Sequence, residues 1–368
     1  MRARVFLWLT VEALCPVVLA APSLSSSSLP QRGAAPPSAA VEDVEELHDP
    51  VHLEWKNITT AIRHPHSVQV ILDGVSGVAK PGRLLAILGP SGSGKTTLLN
   101  SLVGQLPKQR NIIHTGAVSA NGVSQADWLR NGQPPGFVQQ DDLFFPLLTV
   151  RETLRLVAEL KLPSDMTPEE KHAQVDVVLR RLSLEKCADT WVGDTRVPGI
   201  SGGERKRLSL ALQLMGGSQV LLADEPTTGL DSAQAFSVVA ALRQLAEEGN
   251  TIIASIHQPR SAIWSLMDDV MLMSEGRVLF SGPAEDALPY FESLGFSCPD
   301  HYNPAEFLID LAVADWGAER RQEEEGGLSS VPSAVPPVPS GYFSERWAEE
   351  WERLQTQSLL NKGVGRML

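Results

Sequence analysis

An α/β fold organised on a mainly parallel sheet is expected from two features of the chain. Short unbroken apolar runs, GRLLAILG (82–89), QVLLADEP (219–226) and NTIIASIHQP (250–259), each end at glycine or polar residues. Strands of a parallel sheet read this way because helices cover both of its faces. Stretches of helical periodicity with explicit start signals lie between and after these runs.

The elements follow in order. VHLEWKNIT (51–59) alternates as a half-buried strand does, and VQVILDGVSG (68–77) reads as a second strand ending at a turn. GRLLAILG leads directly into GPSGSGKTT (89–97), and TTLLNSLVGQL (96–106) continues as a helix. Thr149 with Glu152, and Thr167 with Glu170, have the spacing of capping boxes, the second with Pro168 at the first helical position. Val175, Val178, Leu179 and Leu182 then recur at helical intervals. A helical insert is therefore expected between the glycine-rich loop and the later strands.

Composition narrows the function classes. Of 368 residues, 43% are hydrophobic and 20% charged, an ordinary globular balance, and the net charge is −13. Sequence-independent nucleic-acid binding needs a basic surface that releases counterions, so no nucleic-acid partner is expected. Three scattered cysteines, Cys15, Cys187 and Cys298, have neither disulfide-framework nor zinc-site spacing.

The termini are expected to differ from the body. Residues 1–50 comprise an apolar segment, VFLWLTVEALCPVVLAA (5–21), and a Ser/Pro/Ala-rich, then acidic, disordered tail. The apolar segment has features of a targeting signal, but Glu12 in its middle opposes both a signal and a membrane span. Signal, transit and anchor readings stay open. Residues 51–315 form the main domain, 316–341 a charged, proline-rich linker and 342–368 an amphipathic helix. In that helix Phe343, Trp347 and Trp351 recur every four residues, a stripe for docking on the core, with a membrane surface or a partner as alternatives. Beyond Ala21 no apolar run approaches the roughly 18 residues of a spanning helix.

Four short motifs carry chemistry. GPSGSGKTT fits G-x-x-x-x-G-K-[ST] between a strand and a helix. Gly89, Pro90, Ser91, Gly92, Ser93, Gly94, Lys95, Thr96 and Thr97 are thus expected to cradle phosphates. The glycines admit backbone N–H groups, Lys95 reaches β- and γ-phosphates, and Thr96 offers a hydroxyl to Mg²⁺. Asp224, ending an apolar run, is placed to hold that metal through water, and Glu225 beside it to polarise an attacking water. His257 ends another strand on the ligand-binding edge, within reach of a γ-phosphate. Gln140, in FVQQDD, lies on a loop where it senses metal or water. In GISGGERKRLSLAL (199–212), Ser201 and Glu204 have capping-box spacing, with Leu208, Ala211, Leu212 and Met215 on one face. Capping leaves Gly202 and Gly203 unexplained, and close approach of a ligand to the backbone is the reading given to them.

In this order GPSGSGKTT, ISGGERKR, LLADEPTTGLDS and SIHQPRS resemble the nucleotide-binding domain of an ATP-binding cassette (ABC) transporter. QDDLFFPLLTVRETL and HYNPAEFLIDL resemble its G family, the white/brown-complex half-transporters, and KPGRLLAILGPSGSGKTTLLN leans toward plant and algal members. The resemblance covers about residues 51–315. It implies a P-loop NTPase fold with a RecA-like core, an antiparallel β subdomain and a helical signature subdomain. It also implies ATP and Mg²⁺ as cofactors and a dimer, homo- or heteromeric, with a second such domain. Ser201, Gly202 and Gly203 match the signature that contacts ATP on the opposite protomer, and Asp231 matches a loop communicating across the dimer. Gln140 matches a Mg²⁺-coordinating glutamine, Glu225 the catalytic glutamate and His257 the switch histidine.

The region after the first strand, TTAIRHPHSVQ, offers only His64 and His66 where many relatives stack adenine on an aromatic ring. The G family continues into six membrane helices, so a membrane domain outside this chain is expected, with the ATPase on the cytosolic or stromal face. Two alternatives are a soluble ABC ATPase of translation or DNA maintenance, and a regulatory subunit without transport of its own.

Overall fold

The computed structural model describes residues 50–107, 109–131, 134–315, 339 and 341–364. The 5–21 segment, the tail to residue 49, Cys15 and nearly all of the 316–341 linker lie outside the described residues.

Two sheets form from the runs of β-branched and aliphatic residues. The larger has six strands: β3 (Leu84–Leu88), β6 (Gly136–Val138), β7 (Val220–Ala223), β8 (Thr251–Ser255), β9 (Asp269–Ser274) and β10 (Arg277–Pro283). Their spatial order is β10-β9-β3-β8-β7-β6, with β9, β3, β8, β7 and β6 parallel and β10 antiparallel at one edge. All residues of β3, β7 and β8 are buried, as expected from their unbroken apolar runs. Burying a Leu or Ile side chain contributes about 1.5–3 kcal/mol, so the five residues of β3 alone anchor the sheet's centre.

The second sheet is antiparallel. It joins β1 (Leu53–Arg63), β2 (Val68–Ala79), β4 (Ile112–Ala120) and β5 (Val123–Ser124) in the order β2-β1-β4-β5. Strands β4, β5, β6, β9 and β10 go beyond the elements read from the sequence. For the β9–β10 hairpin a signal exists: Glu275 and Gly276 both take positive φ (45° and 75°) between two apolar runs, the backbone a two-residue hairpin turn requires.

Helix α1 (Lys95–Leu102) follows β3, and α2 (Gln125–Asn131) follows β5. The expected helical insert is present as α3 (Val150–Lys161), α4 (Pro168–Arg181) and α5 (Gly202–Leu214), which pack on one another. Each begins with a reciprocal capping box, from Thr149, Thr167 and Ser201 to Glu152, Glu170 and Glu204 respectively. Such a box satisfies two orphan backbone donors at a helix start. Arg151 of α3 holds Asp176 of α4 in an ion pair and reaches Asp189 at 3.2 Å.

Helices α6 (Ser232–Glu247) and α7 (Ser261–Trp264) flank β8, while α8 (Ala284–Ser293) and α9 (Pro304–Ala314) follow β10. The C-terminal α10 (Tyr342–Val364) docks its aromatic stripe on this region. Phe343 and Trp347 are buried, with Trp347 5.2 Å from Phe280 and Phe343 5.4 Å from Phe291 between ring centroids. Asp315, just past α9, accepts the Phe343 N–H at 2.8 Å and so caps α10 across the intervening segment. Burial pushes the Asp315 carboxyl up from its ordinary 3.8 to about 6.

Candidate functional site

Sheet order decides which loops meet. β3, β8, β7 and β6 are consecutive neighbours running the same way, so the segments leaving their carboxyl ends line one edge. Those segments are Gly89–Gly94, Ile256–His257, Asp224–Glu225 and Gln139–Asp142. Ligands of open α/β sheets bind along such an edge.

The glycine-rich loop has a backbone that only glycine adopts easily. Gly89, Gly92 and Gly94 take φ of 149°, 80° and 97°. A Cβ on Gly89 would stand 2.2 Å from the Met273 carbonyl oxygen, so the loop lies hard against β9 there. At the exposed Gly92 nothing lies within 4 Å, leaving the crest open to a ligand. Gly94 caps α1 without a side chain, so the first-turn N–H groups of α1 have no side-chain acceptor at the cap. A helix start of this kind binds anions through its N–H groups and its dipole.

Lys95 is buried, and its ammonium donates to the carbonyl oxygens of Gly89 (2.9 Å) and Pro90 (2.8 Å). Burial holds its pKa below the ordinary lysine value, against the opposing pull of the Glu225 and Asp224 charges. Thr96 is exposed on the first turn of α1, Thr97 is half-buried beside it, and Ser93 is buried, its hydroxyl without a hydrogen-bond partner among the described residues. Exposed Ser91 lies with its Oγ 3.4 Å from His257 Nε2, joining the loop to the end of β8.

The two carboxylates at the end of β7 have different surroundings. Asp224 is buried and accepts the Ser255 hydroxyl at 2.6 Å. Glu225 takes φ 44°, the left-handed region that non-glycine residues enter at a cost. Its N–H donates to Ser255 Oγ at 2.8 Å, and its carboxylate accepts Gln140 Nε2 (3.2 Å) and Thr228 Oγ1 (3.0 Å). Gln140 and Glu225, 85 residues apart, are thereby brought into contact. Ser255 and Thr228 did not stand out in the sequence; a small polar residue closing the buried run TIIAS was the available signal.

Ser201, Gly202 and Gly203 stand at the start of α5. The Ser201 hydroxyl is held by Glu204 at 2.8 Å, and the Gly203 N–H donates to Gln234 Oε1 of α6 at 3.2 Å. Among the described residues, no hydrogen bond from Ser201–Glu204 reaches the glycine-rich loop. The paired glycines have an intramolecular reason that the sequence reading lacked. A Cβ on Gly202 would stand 2.9 Å from Leu230, and one on Gly203 3.1 Å from Gln234. Close packing of α5 on the start of α6 accompanies any ligand approach there. Asp231 caps α6, accepting the N–H groups of Ala233 and Gln234, both at 2.9 Å.

The donor set fits a nucleotide with a hydrated divalent ion. Among the described residues no cluster of three or more His, Cys, Asp or Glu side chains forms a self-sufficient metal cage. Mg²⁺ at phosphate sites uses few protein ligands, taking its remaining oxygens from phosphate and water. Thr96, Asp224 and Gln140 would be the protein's contribution.

A glycine-rich loop on a helix start, a buried lysine within it and strand-end carboxylates across the edge define an ABC-type P-loop ATPase domain. A family model described as "ABC transporter" matches residues 72–228, and one described as "ABC-2 type transporter" matches residues 257–323. ABC transporter G family member 7 of Arabidopsis thaliana is 48% identical, over 77% of this chain and 40% of the relative. The broad substrate specificity ATP-binding cassette transporter ABCG2 of Sus scrofa is 44% identical, over 70% of this chain and 39% of the relative. The dimeric structure of a bacterial ABC transporter cassette superposes with a TM-score of 0.52 at 27% identity, covering 63% of this chain and 98% of that one. Another dimeric cassette structure, a post-hydrolysis state bound to ADP and Pi, does so at 26% identity with the same TM-score and coverage. The chain belongs to the G family of ABC transporters. It spans about two fifths of the length of these G-family relatives.

Proposed function

We propose that the chain binds and hydrolyses Mg²⁺–ATP and that two such domains close around two nucleotides to drive a membrane domain that exports a substrate. One observation carries the reading. The glycine-rich loop, His257, Asp224–Glu225 and Gln140 leave four adjacent parallel strands on the same edge, with Gln140 hydrogen-bonded to Glu225.

Bound Mg²⁺–ATP supplies the γ-phosphoryl group and the metal charge that steadies it. The N–H groups at the start of α1 would hold phosphate oxygens, and the Lys95 ammonium, now on the loop carbonyls, would serve the β- and γ-phosphates. Glu225 orients the attacking water and accepts its proton, fixed in place by Gln140, Thr228 and the Ser255 tether of its backbone. His257, joined to Ser91, steadies the γ-phosphate side. A positioned general base of this kind contributes about 10²–10⁴ in rate.

Ser201, Gly202 and Gly203 face the ATP of the opposite protomer, a role supported by the likeness of ISGGERKR to the family's signature. Leu143, Phe145 and Leu147, in the segment after Gln140, are exposed, and Leu156 and Leu160 lie exposed on α3. Exposed apolar residues are what a docking surface needs, and these are assigned to the membrane domain. No described helix is long and apolar enough to cross a membrane. Likeness to membrane ABC transporters supports placing the ATPase on the cytosolic or stromal face of a membrane, paired with a like or related cassette.

Substituting Glu225→Gln tests the mechanism. The variant is expected to bind ATP–Mg²⁺, lose turnover and accumulate as a nucleotide-bound dimer in size-exclusion chromatography. Turnover unchanged from wild type overturns the assignment of Glu225 as base.

A further inference from the structure

We infer that Lys206 is a positioning residue that clamps the backbone of Gln140 to the signature helix, so that one helix links the two ATP sites a protomer serves. The inference rests on the two-protomer reading above and assigns a coupling element within it.

Lys206 lies five residues beyond Ser201 on α5, about 7.5 Å along the helix at 1.5 Å per residue. Its side chain is 6% exposed, yet its ammonium makes three bonds: to Gln140 O at 2.7 Å, Gln139 O at 3.3 Å and Asp142 at 3.1 Å. An ammonium has three donors, and all three are spent on the four-residue stretch containing Gln140. Asp142, 8% exposed, is also held by the Ser209 hydroxyl of α5 at 2.5 Å. The Gln140 side chain in turn donates to Glu225. A continuous path thus runs from the start of α5 through Lys206 and Gln140 to the carboxylate assigned as base.

The chemistry of the pair argues against a purely stabilising role. Taking two charges out of water is costly, and an apolar pair of similar volume usually holds a fold equally well. A charged clamp differs in directionality: it fixes the carbonyls of Gln139 and Gln140, which aliphatic contacts would leave free to slide. Helix α5 moves as a rigid rod over the short distance from Ser201 to Lys206. A shift at its start, where the partner's nucleotide is read, therefore reaches Gln140 with little loss.

The test uses the full chain and three variants: Lys206→Met, Lys206→Met with Asp142→Asn, and Lys206→Arg. The double variant removes both buried charges, so its fold is protected from an orphaned carboxylate. Two readouts are taken: ATP turnover against ATP concentration, and hydrogen exchange of residues 139–143 with and without ATP–Mg²⁺. A displacement of about 1 Å in a catalytic group costs about 10²-fold, so kcat in the double variant is expected to fall 10- to 100-fold. KM should stay within about twofold, because the glycine-rich loop is untouched. ATP-induced protection of 139–143 should vanish in both Met variants, and Lys206→Arg should restore part of it.

Wild-type kcat together with wild-type ATP-induced protection in the double variant overturns the assignment. Faster exchange in the nucleotide-free chain with unchanged kcat also overturns it, since Lys206 then serves the fold alone. A Glu225→Gln chain that binds ATP yet remains single refutes the two-protomer reading instead. The response of residues 139–143 to ATP still reads the clamp in that case.

Discussion

Ser255 joins the two strand-end carboxylates, and its removal has a magnitude that follows from its two bonds. Its hydroxyl donates to the buried Asp224 carboxylate and accepts the Glu225 N–H, and the residue is fully buried. In Ser255→Ala a hydrogen bond to a charged group is lost, about 1.5–3 kcal/mol, and a buried N–H is orphaned, about 1–3 kcal/mol. Removing the need to desolvate the hydroxyl offsets part of this, so a net loss of about 2–4 kcal/mol is expected. Ser274 is the internal comparison: it is equally buried, but its hydroxyl donates only to the neutral Ala312 carbonyl at 2.7 Å. Ser274→Ala loses one bond between neutral groups, about 0.5–1.5 kcal/mol net, and should cost less than Ser255→Ala. Urea unfolding of the two variants gives the difference directly. Turnover should separate them further, because Glu225 holds a left-handed backbone that the Ser255 tether helps maintain. If Ser255→Ala proves no less stable than Ser274→Ala and hydrolyses ATP at the wild-type rate, the two-carboxylate tether is wrong.

Two further predictions concern the C-terminal helix. The Asp315 carboxyl has a folded pKa of about 6 against an ordinary 3.8, so the native state favours its protonated form. Stability from this group is fully present below the ordinary value and is lost as pH rises through about 6, by up to about 3 kcal/mol. Asp315→Asn keeps an acceptor for the Phe343 N–H, so it should be more stable than wild type at pH 8, with the gap closing below pH 4. Thermal unfolding across that range reads the sign, and a gap that widens in acid contradicts it. Phe343→Ala removes a fully buried ring that meets Phe291 and Phe296 at 5.4 and 5.0 Å. Such a truncation costs about 3–5 kcal/mol, enough to undock α10 while the sheet persists. Hydrogen exchange should then rise across residues 342–356 and stay slow in β3; unchanged exchange in α10 refutes the docking energetics.

Local rules made much of this protein legible before any coordinates. Three capping boxes depend on contacts three residues apart, and all three form. The glycine-rich loop needs only its own backbone angles, a strand before it and a helix after it. Unbroken apolar runs at β3, β7 and β8 marked strands buried on both faces. The short strands β5 and β6, of two and three residues, have too little length for periodicity to register.

What stayed hidden depends on which strands lie side by side. Gln140 meets Glu225 because β6 pairs with β7, and Ser255 joins Asp224 to Glu225 because β8 pairs with β7. The glycines after Ser201 likewise show their packing reason only once α6 lies against α5. Lys206 looks in sequence like one cation in a solvated basic run, ERKR, and burial against a loop 66 residues away gives it partners. The residues proposed to do the chemistry were therefore readable from type and spacing, since phosphate recognition needs a local backbone shape. Their mutual positioning was not, since hydrogen bonds across a sheet follow strand order, which the packing of the whole core sets.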